Sequence, residues 1–332
     1  MLVQKAEIKN DLRVLKAALA NKSSSYNCDC FIFHENKILT ISENLIISCK
    51  NPYGIGGNFN GKDLLKIVDS MGDEFEISCA ERKLVLKSKG VRGSVTGVLI
   101  DSDPYIMIER LGKKSFKEIP ESFMEGLHLC AESSSKDIRD CELACVVIKP
   151  GVIESTDNIR ASAFYTKFDP GKTVIIFSSF AKKIPSTCTK VSVGPNYIHF
   201  KDGKFVYSIP YVEADLPDIE AVISSWIPKS REKIPFPNEL ITVAKELEFF
   251  CGGNSDYEKT VKVEFNDKFI KCTARKEGAS LTKKIKNNSD FIGTFLINPV
   301  LLLSILKDNH EVFIHDNKIF FMKKDFIHVI GM

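Results

Sequence analysis

The sequence predicts an α+β fold assembled from three copies of one unit, each with two helices packed on antiparallel sheets. Three observations carry that expectation. Segments of alternating polarity recur along the whole chain, the helical patterns between them are few and short, and the order of elements repeats at about one third of the 332 residues.

The first element is a helix over residues 5 to 21. Leu12, Leu15 and Leu19 form its apolar stripe with Ala18, while Lys5, Lys9, Arg13 and Lys16 recur at steps of four, four and three and so share one face. From Phe59 the string FNGKDLLKIVDSMGDEFEISCAERKLVLKSK reads as an extended approach, a short helix, a turn and a two-stranded hairpin. A second copy, IFSSFAKKIPSTCTKVSVGPNYIHFKDGKFVYSI, starts at Ile176, and a third, FLINPVLLLSILKDNHEVFIHDNKIFFMKKDFIHVI, starts at Phe295. The starts lie 117 residues (59 to 176) and 119 residues (176 to 295) apart.

Each copy follows a further helix candidate: residues 5 to 21, then PESFMEGLHLCAESS from Pro120, then PNELITVAKELEFF from Pro237. The two prolines suit a first-turn position. The connectors GKKSFKEIP (112 to 120) and SSWIPKSREKIPFP (224 to 237) are charged and contain proline, as domain linkers do. The expected domains are therefore 1–115, 116–228 and 229–332.

Composition narrows the function. Apolar residues at 44% supply a core, and 46 basic against 43 acidic residues leave a net charge of +3, which excludes a polybasic tail but not a locally basic surface. The first residues carry charges throughout and no apolar run approaches the roughly 20 residues of a membrane span, so a soluble, cytoplasmic protein is expected. Among ten cysteines the only close pairs are Cys28 with Cys30 and Cys141 with Cys145; neither makes a CxxC knuckle, and buried reduced thiols are expected. Six histidines are scattered, no GxSxG, HExxH or paired acidic motif occurs, and Asp215 and Asp218 around Pro217 read as turn formers. The chain is expected to be no enzyme, with no cofactor and no metal, although a cysteine nucleophile without a motif stays open.

One stretch argues for nucleotide chemistry. In GIGGNFNGKD, Gly56, Gly61 and Lys62 have P-loop spacing, but Asp63 stands where a P-loop needs Ser or Thr for magnesium. The counterparts TVIIFSSFAKK and GTFLINPVLL lack the glycines, so the glycines read as a flexible approach to Phe59 and Asp63 as a first-turn carboxylate.

The threefold order and four local strings resemble the bacterial replicative sliding clamp, the beta subunit of DNA polymerase III, with a viral source left open. The strings are FNGKDLLKIVDSM with its hairpin, ELACVVIKPGVIESTDNIRASAF, YVEADLPDIEAVI, and FLINPVLLLSIL with FIHVIGM. The resemblance implies DNA-clamp domains, three per chain, forming half of a ring that a head-to-tail homodimer closes around double-stranded DNA. Diffuse cationic helices facing phosphates would suit such a ring, because base contacts would stop sliding. The DNA-facing residues would be Lys5, Lys9, Arg13, Lys16, Lys22, Lys62, Lys66, Lys182 and Lys183. Two helices disagree: Glu121, Glu125, His128 and Glu132 make one acidic stripe, and Glu239 and Glu246 beside Lys245 make another.

The resemblance also implies a cleft for short linear motifs of a polymerase and a clamp loader. Carried over by position, it comprises Thr156, Ile159, Arg160, Ala161, Pro217, Val222, Asn298, Leu301, Ile327, Val329 and Ile330. The chain departs from the family there: Asn158-Ile159 replaces Gly-His, Ala161 replaces a pocket Leu, Ala221 replaces a basic residue, and VIGM ends the chain in place of a Met-Pro string. No membrane partner is implied. The alternative reading is a monomeric accessory factor that binds DNA without closing a ring.

Overall fold

The computed structural model describes residues 1–19, 29–98, 111–227, 233–234, 236–252, 260–299, 302–303, 311–316 and 318–331. The chain divides into two compact units, Met1–Glu121 with Lys183–Tyr211, and Ser122–Lys182 with Val212–Met332.

In the first unit the strand Leu2–Gln4 runs straight into helix α1, Lys5–Leu15, and a 3-10 turn, Lys16–Ala18. Ile8, Leu12, Leu15 and Ala18 are buried, so the apolar stripe read from the sequence is the packed face, and each large aliphatic contributes about 1.5–3 kcal/mol. The helix is shorter than the expected 5 to 21: the 3-10 turn tightens its end and Leu19 is already extended. Helix α2, Gly61–Ser70, buries Leu64 and Val68 and takes its N-cap from Asn60.

Two antiparallel sheets complete this unit. One has the order Leu2–Gln4, Glu74–Ala80, Lys83–Ser88, Val91–Thr96. The other has eight strands: Gly57–Asn60, Cys30–His34, Lys37–Ser42 and Leu45–Lys50, then Phe205–Pro210, Tyr197–Asp202, Lys190–Val193 and Lys117–Glu118. Its two halves come from different thirds of the chain and meet where Tyr207 lies opposite Ile47.

The second unit holds helices α3, Phe123–Ala131, α4, Ser178–Ala181, α5, Ile219–Trp226, and α6, Glu239–Glu248. Its seven-stranded sheet runs Val174–Phe177, Cys145–Lys149, Val152–Thr156, Arg160–Tyr165, Phe326–Gly331, Lys318–Lys323, Glu311–His315. A four-stranded sheet runs Ala279–Lys286, Phe269–Lys276, Val261–Phe265, Gly293–Ile297. Phe265, Phe295 and Phe321 are fully buried in its core.

The α+β class and the strand segments read from alternating polarity are as expected; KVSVGPNYIHF forms two strands, split at its Gly-Pro-Asn turn. The prolines differ. Pro120 and Pro237 both precede the N-caps Ser122 and Asn238, and the Pro237 carbonyl accepts the Leu240 amide at 2.9 Å, so they lead into the helices from outside. The expected linkers also carry structure. Lys117–Glu118 is an edge strand, and residues 224–226 end α5, whose Ile219 and Ile223 are buried one turn apart.

Candidate functional site

Helix α1 with its 3-10 turn and helix α2 carry six of the expected cations, and packing divides these six into two groups. Lys5 Nζ donates to the carbonyls of Asp69 at 2.9 Å and Met71 at 2.7 Å, which satisfies the C-terminal end of α2. Lys9 Nζ lies 2.6 Å from the Asp69 carboxylate, and that hydrogen bond holds the Asp69 carboxyl below its usual range. Arg13, Lys16, Lys62 and Lys66 are exposed and make no ion pair among the described residues. Lys22 lies outside the described residues. On the inner side of α1, Asp11 is buried and paired at 2.5 Å with Lys204 Nζ, while its other oxygen accepts the Tyr53 hydroxyl at 3.2 Å. A buried carboxylate needs such partners.

In the second unit the acidic helices bring their own counter-cations. Glu125 of α3 meets Lys323 at 3.0 Å, Glu132 just past α3 meets Lys182 at 3.1 Å, and Glu246 of α6 meets Lys283 at 2.9 Å. Lys182 is thus half-buried and committed, and Lys183 is exposed. Neither Lys323 nor Lys283 was expected here: both lie on strands far from their partners in sequence, and no local spacing points to them.

The expected peptide cleft resolves into a turn, a strand pair and a helix. Asp157 organises the turn: its Oδ1 accepts the amides of Ile159 at 3.0 Å and Arg160 at 2.6 Å, and its Oδ2 pairs with the Arg160 guanidinium at 2.6 Å. Thr156 Oγ1 accepts the Asn158 amide at 3.0 Å and donates to the Arg160 carbonyl at 2.7 Å. Asn158 has φ 71°, a left-handed conformation that Asn and Gly both tolerate. Beyond the turn, Ala161 lies opposite Val329 and Ala163 opposite Ile327. These side chains are buried with Ile219 and Ile223 of α5, whereas Ile330 joins a different core with Val312 and Ile319.

The exposed surface lies around that core. Pro217 is exposed, Asn298 is half-buried, and Ile159 and Val222 are 53% and 37% exposed, large values for apolar side chains. Trp226 lies one turn after Val222 on α5, with Lys318 Nζ 4.9 Å from its ring centre. Leu301 lies outside the described residues. Helix α5 is fixed from below: Lys149 Nζ bridges Glu154 at 2.5 Å and Asp218 at 3.2 Å, and Glu154 accepts the Glu220 amide at 2.9 Å. Burial raises the pKa of Glu154, and Lys149 pulls it back. Asp218 is therefore the N-cap of α5 with a cationic partner; the turn-former reading missed this because Lys149 is 69 residues away.

No protein-family model matches the chain, and no curated protein matches it. Solved structures do. A putative DNA polymerase III beta subunit from Eubacterium rectale superposes with a TM-score of 0.76 at 14% identity, covering 99% of this chain and 98% of that one. The beta subunit of Streptococcus pyogenes gives 0.74 at 16% identity, with the same 99% and 98% coverage. The DNA polymerase sliding clamp of Pseudomonas aeruginosa, solved with a ligand, gives 0.73 at 14% identity, covering 100% and 98%.

The chain has the sliding-clamp fold.

Within this clamp fold the P-loop-like stretch has a structural explanation. The three amides that open α2 are already used: Gly61 N–H donates to the Asp29 carbonyl at 2.7 Å, and those of Lys62 and Asp63 donate to Asn60 Oδ1 at 3.1 and 3.2 Å. None is left to cradle a phosphate. Gly61 itself is required by close approach, since a Cβ there would sit 2.9 Å from the Asp29 carbonyl oxygen. A Ser133–Ser162–His328 cluster resembles catalytic machinery, with Nδ1 of His328 3.0 and 2.7 Å from the two hydroxyls, but all three residues are fully buried inside the clamp unit. Burial also pushes the thiols of Cys145, Cys188 and Cys272 up to about 12, far from thiolate at neutral pH. Among the described residues no group of three or more His, Cys, Asp or Glu could hold a metal ion. No helix among them is long and apolar enough to cross a membrane.

Proposed function

We propose that this chain is a DNA sliding clamp: a non-enzymatic processivity factor that encircles duplex DNA as a head-to-tail homodimer and tethers a replicative polymerase. The observation that carries this reading is the clamp fold over essentially the whole chain, on which α1 and α2 leave four exposed cations without ion pairs among the described residues. Arg13, Lys16, Lys62 and Lys66 are the principal phosphate contacts, with Lys22 and Lys183 supporting; Lys5, Lys9 and Lys182 serve structure first. Diffuse phosphate contacts of this kind carry no sequence information, which suits a protein that slides.

Three clamp domains, 1–115, 116–228 and 229–332, make up the chain in this reading. Polymerase and clamp-loader peptides dock by short linear motifs on the face around Ile159, Pro217, Val222 and Trp226. Buried Ala161, Ile327 and Val329 shape it from beneath. The protein works in the cytoplasm on the nucleoid, or in a host cytoplasm if its source is viral.

The lysines on the free Ala279–Lys286 edge favour a second reading, a monomeric accessory factor, because charged edge strands usually stay unpaired. Solution mass at micromolar concentration separates the two. A mass of two chains is expected, and a single-chain mass under all conditions would overturn the ring.

A further inference from the structure

Each third of the chain contributes two half-sheets, and one rule governs which edges meet. Leu45–Lys50, the third strand of the first third's earlier meander, pairs with Phe205–Pro210, the third strand of the second third's later meander. Arg160–Tyr165 and Phe326–Gly331 repeat the relation one third further along. Two equivalent edges find no partner among the described residues: Ala279–Lys286 in the last third and Val91–Thr96 in the first. The rule leaves each the other as a partner, on a second copy of the chain.

In the sliding-clamp reading these two edges meet between copies, in the register of the two internal seams; we propose that the seam they form is one of like charge, so that the ring tightens as ionic strength rises. This deepens the sliding-clamp reading and rests on it.

The register follows from the internal seams. In both, the offsets of partners from their strand starts add to four: Tyr207 and Ile47 are two and two residues in, Ala161 and Val329 one and three. Applied to the free edges, the same offset puts Leu281 opposite Gly93, Thr282 opposite Arg92 and Ser280 opposite Ser94. Alternation agrees with it. Leu281 packs against the core, and Gly93 faces α2 so closely that a Cβ would lie 2.4 Å from Ile67 Cγ2, so both point inward. Thr282, Arg92, Ser280 and Ser94 are all exposed on the outer face. A slip of one residue would turn one of the two strands inside out.

Charge sets this seam apart. The internal seams pair Ile46, Ile47 and Ser48 with Ser208, Tyr207 and Val206, and their one charged member, Arg160, is neutralised by Asp157. Neither free edge carries an acidic residue. On the inner face Lys283 is answered by Glu246. On the outer face Arg92, Lys284 and Lys286 make no ion pair among the described residues, and in the proposed register Arg92 and Lys284 are diagonal neighbours about 7–8 Å apart. Behind Arg92 stands Lys87, opposite it, whereas Lys271, opposite Lys284, is answered by Glu264 at 3.1 Å. Salt shortens the screening length from about 10 Å at 0.1 M to about 3 Å at 1 M, below that spacing. Repulsion across the seam therefore fades as salt is added.

Sedimentation equilibrium of the full chain from about 0.05 to about 0.5 M NaCl tests this, with an expected fall in dimer Kd of roughly three- to tenfold. Lys284→Glu should tighten the dimer at low salt and reverse the trend. A wild-type Kd that rises with salt, or a Lys284→Glu chain that dimerises less well, overturns the inference and leaves the clamp reading standing. A monomer at every salt overturns both. For the register, Ser94→Cys combined with Ser280→Cys should cross-link between copies, whereas Ser94→Cys with Leu281→Cys should not; the reverse pattern overturns it.

Discussion

The helices of the two units make opposite use of charge. In the first unit α1 and α2 display Arg13, Lys16, Lys62 and Lys66, and Asp69 answers Lys9 alone. In the second unit α3 and α6 display carboxylates, and strand lysines or Lys182 answer Glu125, Glu132 and Glu246. A helix's own charge pattern is therefore a poor guide to the surface it forms. The acidic stripes are largely neutralised, and a net charge of +3 conceals four exposed cations, Arg13, Lys16, Lys62 and Lys66, that make no ion pair among the described residues.

This contrast can be broken experimentally, most strongly at its cationic side. Reversing Arg13 and Lys16 to Glu should lower DNA retention by roughly 30-fold or more at moderate salt and flatten its salt dependence, read by a filter or gel assay across a salt series. Unchanged retention would remove α1 from the DNA interface. On the peptide face, Val222→Asp should abolish polymerase-peptide binding measured by anisotropy while leaving DNA retention intact, since Val222 is exposed and its loss opens no cavity.

Smaller effects sharpen the same contrast. Glu125→Gln with Glu132→Gln removes the two carboxylates that answer Lys323 and Lys182, and retention should rise about two- to fivefold. Asp69→Asn should steepen the logarithmic salt slope by at most about one, because it frees a single lysine for phosphate.

The smallest effect is on stability against pH. Burial, with nearby Lys114, pushes His199 in the first unit down to about 4, whereas an unfolded histidine titrates near 6.5. The unfolded chain therefore takes up a proton that the native chain refuses. Stability is complete above about pH 6.5 and falls as pH drops towards 4, by up to about 3 kcal/mol. A His199→Gln chain should lose that acid slope in thermal melts compared at each pH.

Much of this was legible in the sequence. Alternating polarity located strands such as Glu74–Ala80 and Val261–Phe265, and the buried face of the first helix followed from Leu12, Leu15 and Ala18. The repeat pointed to the clamp fold at an identity of only 14% to 16% with solved clamps, because packing preserves the order of elements after the side chains have changed. Long-range pairing was hidden. Nothing near Leu45–Lys50 signals that its partner is Phe205–Pro210, and nothing near Asp11 signals Lys204. The even stripe Lys5, Lys9, Arg13, Lys16 looked like one surface, yet the C-terminal end of α2 holds its first two members. Only the packed neighbour distinguishes them.

The central claim is topological, and retention on DNA of different closure tests it most directly. Protein loaded on a nicked circular plasmid should stay bound at moderate salt and run off once the same plasmid is cut to a linear form. Equal retention on the circle and on the linear molecule would contradict encirclement.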